Sequence, residues 1–165
     1  MFIRIIITLL VLLSNSIAEE ISGIPKVVDG DTVHIDNYKF RLEGIDAPEM
    51  RQQCKKESFK ISFLIGFTFY KDYSCGKVSK EKLITKIDTT EIKCISSSKD
   101  RYKRYIATCY KGKTNLNQWM VRNGFAIAYR RYSKKYVSDE EFAKENKLGL
   151  WKGKFMEPEK WRKLN

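Results

Sequence analysis

A single histidine, His34, and no Cys-x-x-Cys spacing leave this chain without the donor patterns from which structural zinc sites are built. His34 instead reads as a solvated strand residue. No internal repeat or low-complexity tract is visible, and no βαβ spacing separates the strand-like segments. Long apolar runs are also missing. The one from Ile5 to Leu13 is well short of the roughly 18 residues a spanning helix needs, so no stable membrane span is expected.

That short run has a different meaning. It follows the lone basic residue Arg4 and precedes Ser16-Ile17-Ala18, small residues of the kind a signal peptidase reads. Residues 1–18 are therefore expected to be a secretory signal, cleaved near Ala18, with a membrane anchor as the competing reading. The remainder, 19–165, would form one domain in the extracellular space or the periplasm. With 165 residues in all, of which 42% are hydrophobic and 13% aromatic, the chain can bury one proper core but not two.

Four cysteines suit an oxidising compartment, and three pairings are open to them. Cys94 and Cys109 flank the polar segment from Ser96 to Lys103, and a hairpin there would set them side by side. The pairing expected is Cys94 with Cys109 and Cys54 with Cys75. The formal charge is +12, and losing Arg4 removes only one of those charges. A partner that is polyanionic follows, and nucleic acid, DNA or RNA, leads because phosphate density rewards clustered Lys and Arg. An acidic cell envelope is the alternative that charge alone does not separate.

The first three strands are expected at Lys26 to Val28, Thr32 to Asp36, and Lys39 to Ile45, where Pro48 must stop regular pairing. Two more, Ile92 to Ser96 and Tyr105 to Tyr110, surround a turn at Lys99 to Tyr102. Five short strands suggest a small closed barrel, an α+β fold that is mainly β. Three helices are expected around it. The first runs from about Val78 to Ile87. The second is capped by Asn115 and ended by Gly124, and the third is opened by a Ser138/Glu141 capping box and closed by Gly149. The segment from Ile61 to Tyr70 has neither helical nor alternating periodicity; it reads as buried packing or, failing that, as a membrane- or partner-contacting loop.

Hydrolysing a phosphodiester requires charge neutralisation at the phosphoryl oxygens, an activated water, and stabilisation of the departing alkoxide. Asp31 and Asp46 sit at strand ends beside turns, where a barrel can bring them together as hard oxygen ligands for calcium. Glu49, three residues beyond Asp46, falls near the same ion. Arg41 offers a guanidinium fork for two phosphate oxygens, and Arg104 lies just beyond the Asp100 turn. Taken singly, each is an ordinary capping, solvated or surface-charge residue. The ordered set is what points to chemistry.

That set resembles the staphylococcal nuclease (thermonuclease) family. The resemblance is carried by Val28-Asp29-Gly30-Asp31-Thr32-Val33, by Phe40-Arg41-Leu42-Glu43-Gly44-Ile45-Asp46-Ala47-Pro48-Glu49 and by Asp100-Arg101-Tyr102-Lys103-Arg104. Residues 116–126 and Gly149-Leu150-Trp151 add to it. The resemblance implies an oligonucleotide-binding-type (OB-fold) five-stranded barrel with three helices, and calcium-dependent cleavage of DNA and RNA to 3′-phosphate ends. It implies that Asp31, Asp46 and the Ala47 backbone carbonyl bind Ca2+, and that Glu49 is the general base. Arg41 and Arg104 would stabilise the phosphoryl transition state, and Tyr129 and Tyr132 fall where the family's nucleotide-contacting tyrosines occur. Two departures stand out: Ala47 replaces a threonine, and Lys103 replaces the glycine expected before the second arginine. A monomeric secreted nuclease is the expectation. The alternatives are a non-catalytic nucleic-acid-binding OB-fold module and a cationic envelope protein, and the completeness of the five-residue set favours the enzyme.

Overall fold

The computed structural model describes residues 19–61 and 67–165; the signal-peptide expectation lies outside them, as do residues 62–66. The described residues form twelve strands: β1 (Glu19–Gly23), β2 (Lys26–Val27), β3 (Thr32–Ile35), β4 (Tyr38–Leu42), β5 (Ile45–Asp46), β6 (Gln53–Ile61), β7 (Phe67–Ser74), β8 (Ile92–Lys99), β9 (Tyr105–Lys111), β10 (Thr114–Asn115), β11 (Ile127–Ala128) and β12 (Gly153–Lys154). Four α-helices accompany them: α1 (Cys75–Ile87), α2 (Leu116–Arg122), α3 (Val137–Glu145) and α4 (Pro158–Leu164). Among the described residues, no helix is long and apolar enough to cross a membrane.

The five expected strands correspond to β2, β3, β4, β8 and β9. They lie in the sheet order β2-β3-β4-β9-β8, with β4 and β9 parallel and the other contacts antiparallel. This is the order of an OB-fold-type barrel, in which the third strand meets the fifth rather than the fourth. β1 extends the sheet beyond β8, and β10 pairs with β9, so the sheet holds seven strands rather than five. Alternation explains the packing. Val33, Ile35, Phe40 and Leu42 point inward, each at most 1% exposed, and meet Leu83, Ile87, Leu116, Met120 and Val121 from α1 and α2. Truncating a side chain such as Leu42 to alanine there should cost about 2–5 kcal/mol.

The third expected strand is broken. β4 ends at Leu42, Gly44 takes the left-handed conformation at φ +73, and Ile45 and Asp46 form β5, which pairs with β11. A polar strut holds the break: buried Asn117 on α2 donates to the Glu43 and Ala107 carbonyls, at 3.0 Å each, and accepts from the Cys109 amide at 3.1 Å.

The second helix starts and stops as expected, with Asn115 accepting from the Gln118 amide at 3.1 Å and Gly124 left-handed at φ +70. The third differs at both ends. Tyr136 occupies its N-cap with no side-chain cap, so the Ser138/Glu141 box does not form, and its end falls at Asn146, with Lys147 left-handed after it; Gly149, also left-handed, opens the 3-10 turn of residues 149–152 instead. Burying Tyr136 in the core fixes the helix start two residues earlier than the polar signal does.

Of the segment left without periodicity, Ile61 ends β6 and residues 67–70 begin β7; these two strands pair antiparallel, with β12 on the outer side of β6. Strand residues 55–58 are exposed on successive positions, so no face of β6 is consistently apolar and alternation is lost. Phe69 is exposed, so the described part is not core packing. Both expected disulfides form: Cys94–Cys109 joins directly opposed residues of β8 and β9, and Cys54–Cys75 ties the base of the hairpin to the first residue of α1.

Candidate active site

The register of β3 and β4 sets Arg41 opposite Thr32, and Asp31 is the residue just before it. Arg41 therefore reaches back across the strand ends. Its guanidinium donates to Asp31 Oδ1 at 2.7 Å and to Asp46 Oδ1 at 3.2 Å. Asp31 is further held by the Thr32 hydroxyl at 3.1 Å and by the Ala47 amide, which donates to Oδ2 at 3.1 Å. The contact Ala47 makes is thus through its backbone, for which the missing hydroxyl is immaterial.

Asp46 is fully buried and Asp31 nearly so. Burial pushes the Asp46 carboxyl above its ordinary value, against the hydrogen bond and charge of Arg162 and the charge of Arg41. For Arg41, burial works against its charge, but Asp31 and Asp46 raise its pKa on balance. Asp29, whose carboxylate accepts from the Asp31 amide at 2.9 Å, is pushed up to about 6, by burial first and by the Asp31 charge second. Between them, Gly30 is required by close approach: a Cβ there would stand 2.0 Å from Ser79 Oγ of α1 and 2.7 Å from Ala47 Cβ.

Glu49 stands on the loop after β5, and three devices fix that loop. Buried Gln52 accepts from the Glu49 amide at 3.2 Å and donates to the Met156 carbonyl at 2.6 Å. The start of α1 packs so closely that a Cβ on Gly76 would lie 1.9 Å from the Glu49 carbonyl oxygen. The Cys54–Cys75 disulfide pins the same helix start. The carboxylate itself is about one-third exposed, within reach of water.

Arg162, on α4, joins the two acidic residues. It donates to Asp46 Oδ1 at 2.9 Å, Asp46 Oδ2 at 3.1 Å and Glu49 Oε1 at 2.8 Å. Burial opposes its charge, but bonding to Asp46 and Glu49 raises its pKa overall. Neither Arg162 nor Gln52 was expected from sequence. Pro158 after Glu157 is a helix-start signal, yet nothing in a terminal Lys-Trp-Arg-Lys run distinguishes a docked arginine from solvated charge.

Arg104 is not drawn into this cluster. Its guanidinium is bound by Asp100 within its own turn, with Nε at 2.8 Å and a terminal nitrogen at 2.7 Å from Oδ2. Lys103 takes the left-handed conformation expected of a glycine, at φ +63. The parallel pairing of Arg41 with Ile106 nevertheless sets Arg104, the residue just before β9, only two positions from the Arg41 level. Tyr129 lies beside the cluster, with the Arg41 guanidinium carbon 5.9 Å from its ring centroid, and it stacks edge-on with Tyr132 at 4.8 Å. Tyr132 is mostly exposed.

Among the described residues no group of three or more His, Cys, Asp or Glu is arranged to hold an ion. The donor chemistry of Asp31, Asp46 and Glu49 still suits a hard cation, because Asp31 and Asp46 are carboxylates buried deeply enough to need positive charge beside them. Arg41 and Arg162 supply it here.

Residues 39–153 match the family described as Staphylococcal nuclease homologue. The succinoglycan biosynthesis protein ExoI of Rhizobium meliloti is 33% identical over 139 residues, covering 82% of this chain and 66% of that protein. An uncharacterized endonuclease of Haemophilus influenzae is 32% identical, covering 84% of this chain and 70% of that one. A micrococcal nuclease of Shigella flexneri is 28% identical over 85% of this chain and 79% of its own length. The chain thus spans about two thirds of the length of the first two relatives. Asp31 and Arg162 lie outside the residues the family match covers.

Proposed function

The chain belongs to the staphylococcal nuclease family, and from that premise we propose that it is a calcium-dependent nuclease that hydrolyses phosphodiester bonds of DNA, RNA or both. The observation that carries the reading is the Arg41 fork, fixed by sheet register between two buried carboxylates, with the water-accessible Glu49 beside them.

In this mechanism Glu49 takes the proton from the attacking water, and its partial exposure lets that water arrive. Arg41 offers its two terminal nitrogens to the phosphoryl oxygens, where charge accumulates as the attack proceeds. Arg104, freed from Asp100, stabilises the departing 5′ oxygen, so that the phosphate remains on the 3′ side. Asp31, Asp46 and the Ala47 carbonyl would hold Ca2+, which supplies further neutralisation of the phosphoryl charge. Tyr129 and Tyr132 would line the approach of the nucleotide, and the excess of basic residues draws the polyanion in. The two disulfides suit an oxidising compartment, consistent with a leader cleaved near Ala18 and release of residues 19–165 as a single monomeric domain.

The test is degradation of DNA and RNA by the mature protein, wild type beside Glu49→Gln, with calcium and with chelator. The expected result is calcium-dependent cleavage and a loss of about a hundredfold or more in the variant. Equal rates in wild type and variant, or undiminished cleavage in chelator, would overturn the mechanism. Binding without cleavage would leave a nucleic-acid-binding module.

A further inference from the structure

We propose that Arg162 is a built-in cation that competes with the divalent ion for Asp46 and Glu49, making α4 a strap that must leave the site before the metal enters. The inference rests on the calcium reading of the site given above. One guanidinium engages both oxygens of Asp46 and the Oε1 of Glu49, at 2.8 to 3.1 Å. A dication bound to the same Asp46 oxygens would stand within a few ångströms of that guanidinium, and like charges so close are strongly unfavourable in a buried site. While Arg162 donates to Oε1 of Glu49, that oxygen is engaged and is not free to meet a water.

The strap is also held in a way that permits release. Of the residues of α4 only Pro158 is buried and Trp161 is half-buried, and neither belongs to a core cluster. Its docking depends on polar links. These are the Arg162 pairs, Glu159 with Arg131 at 2.8 Å, and the Met156 carbonyl with Gln52 at 2.6 Å, just before the helix. Of these, the Glu159 to Arg131 pair is largely exposed and holds the helix weakly, which leaves the Arg162 pairs as the links the metal would replace. The Gln52 link runs to the loop that carries Glu49, so the strap and the base move on connected pieces of chain. By linkage, whatever docking contributes against the metal, the metal contributes against docking, by the same factor.

Calcium binding to the full mature protein, measured by calorimetry without nucleic acid, tests this directly. If only about a tenth of molecules have the strap open, removing Arg162 tightens calcium binding about tenfold. Arg162→Ala should therefore bind calcium about tenfold more tightly than wild type. Lys160→Ala removes the same charge from an exposed position of the same helix, and should change affinity less than about twofold. In wild type, calcium should speed amide hydrogen exchange across residues 158–164. Equal calcium affinity in wild type and Arg162→Ala, an equal gain from Lys160→Ala, or slower exchange of α4 on adding calcium would overturn the strap and leave the nuclease reading standing. Absence of calcium binding in every variant would overturn both.

Discussion

The two arginines expected to act on the phosphate are held in opposite ways. Arg41 projects from the interior of a strand, and the pairing of β3 with β4 decides which carboxylates it meets, one 10 and one 5 residues away in sequence. Arg104 sits at the mouth of a turn and is bound by Asp100, four residues back, whose carboxylate also accepts from the Tyr102 and Arg104 amides. Register cannot change without turning β4 inside out, whereas a turn can release one guanidinium and keep its backbone bonds. A rigid fork and an adjustable arm are what the pair provides, and the difference teaches that equal residue type does not mean equal preorganisation.

The sharpest way to break the comparison is Arg41→Ala. It removes the fork and leaves Asp31 and Asp46 buried with less charge compensation, so activity should fall about a hundredfold or more and stability by about 3 kcal/mol. Arg104→Ala, measured beside it by nuclease rate and thermal unfolding, should cost activity while leaving stability within about 0.5 kcal/mol. A comparable stability loss in both would show that the turn is as structural as the strand. Next in size, changing Cys54 and Cys75 together to serine should cost about 2–4 kcal/mol by releasing α1 from the Glu49 loop, read by chemical denaturation.

Smaller effects probe the arm alone. Lys103→Gly relieves a left-handed non-glycine residue and should stabilise the protein by about 1 kcal/mol, with the melting temperature as readout. The smallest signal is the titration of Asp100. Burial pulls its pKa upward, but the Arg104 amide, the Arg104 guanidinium and the Tyr102 amide hold it below 3.8. A carboxylate with a depressed folded-state value contributes stability above its unfolded value and loses it as pH falls through the folded one. The Asp100 to Arg104 lock should therefore persist at neutral pH and open only in acid below about 3.8, followed by the Asp100 carboxyl shift in NMR. A midpoint above the ordinary value would mean that the lock is absent in solution.

Much of this is legible in the amino-acid sequence. The strands β2, β3, β4, β8 and β9 each carry β-branched or aromatic residues, and Asn115 and Gly124 mark the ends of α2 by local chemistry. Asp31, Arg41, Asp46 and Glu49 lie in two short contiguous motifs, where spacing and strand geometry together limit how far apart they can be. The β6 and β7 hairpin was not legible, because residues exposed on both faces leave no period to read. The start of α3 was misread because a polar cap competes with burial of Tyr136, and burial of a large aromatic outweighs a cap of about 1 kcal/mol.

Sequence alone determined the barrel's strands, the cysteine pairing across β8 and β9, and the identity of the charged groups at the motif ends, since these depend on local periodicity and near neighbours. Only the tertiary structure decided which charges meet. Arg162 is 116 residues from Asp46 and 113 from Glu49, and no local rule connects them. Their meeting depends on where the last helix comes to rest, which is set by contacts summed over the whole fold.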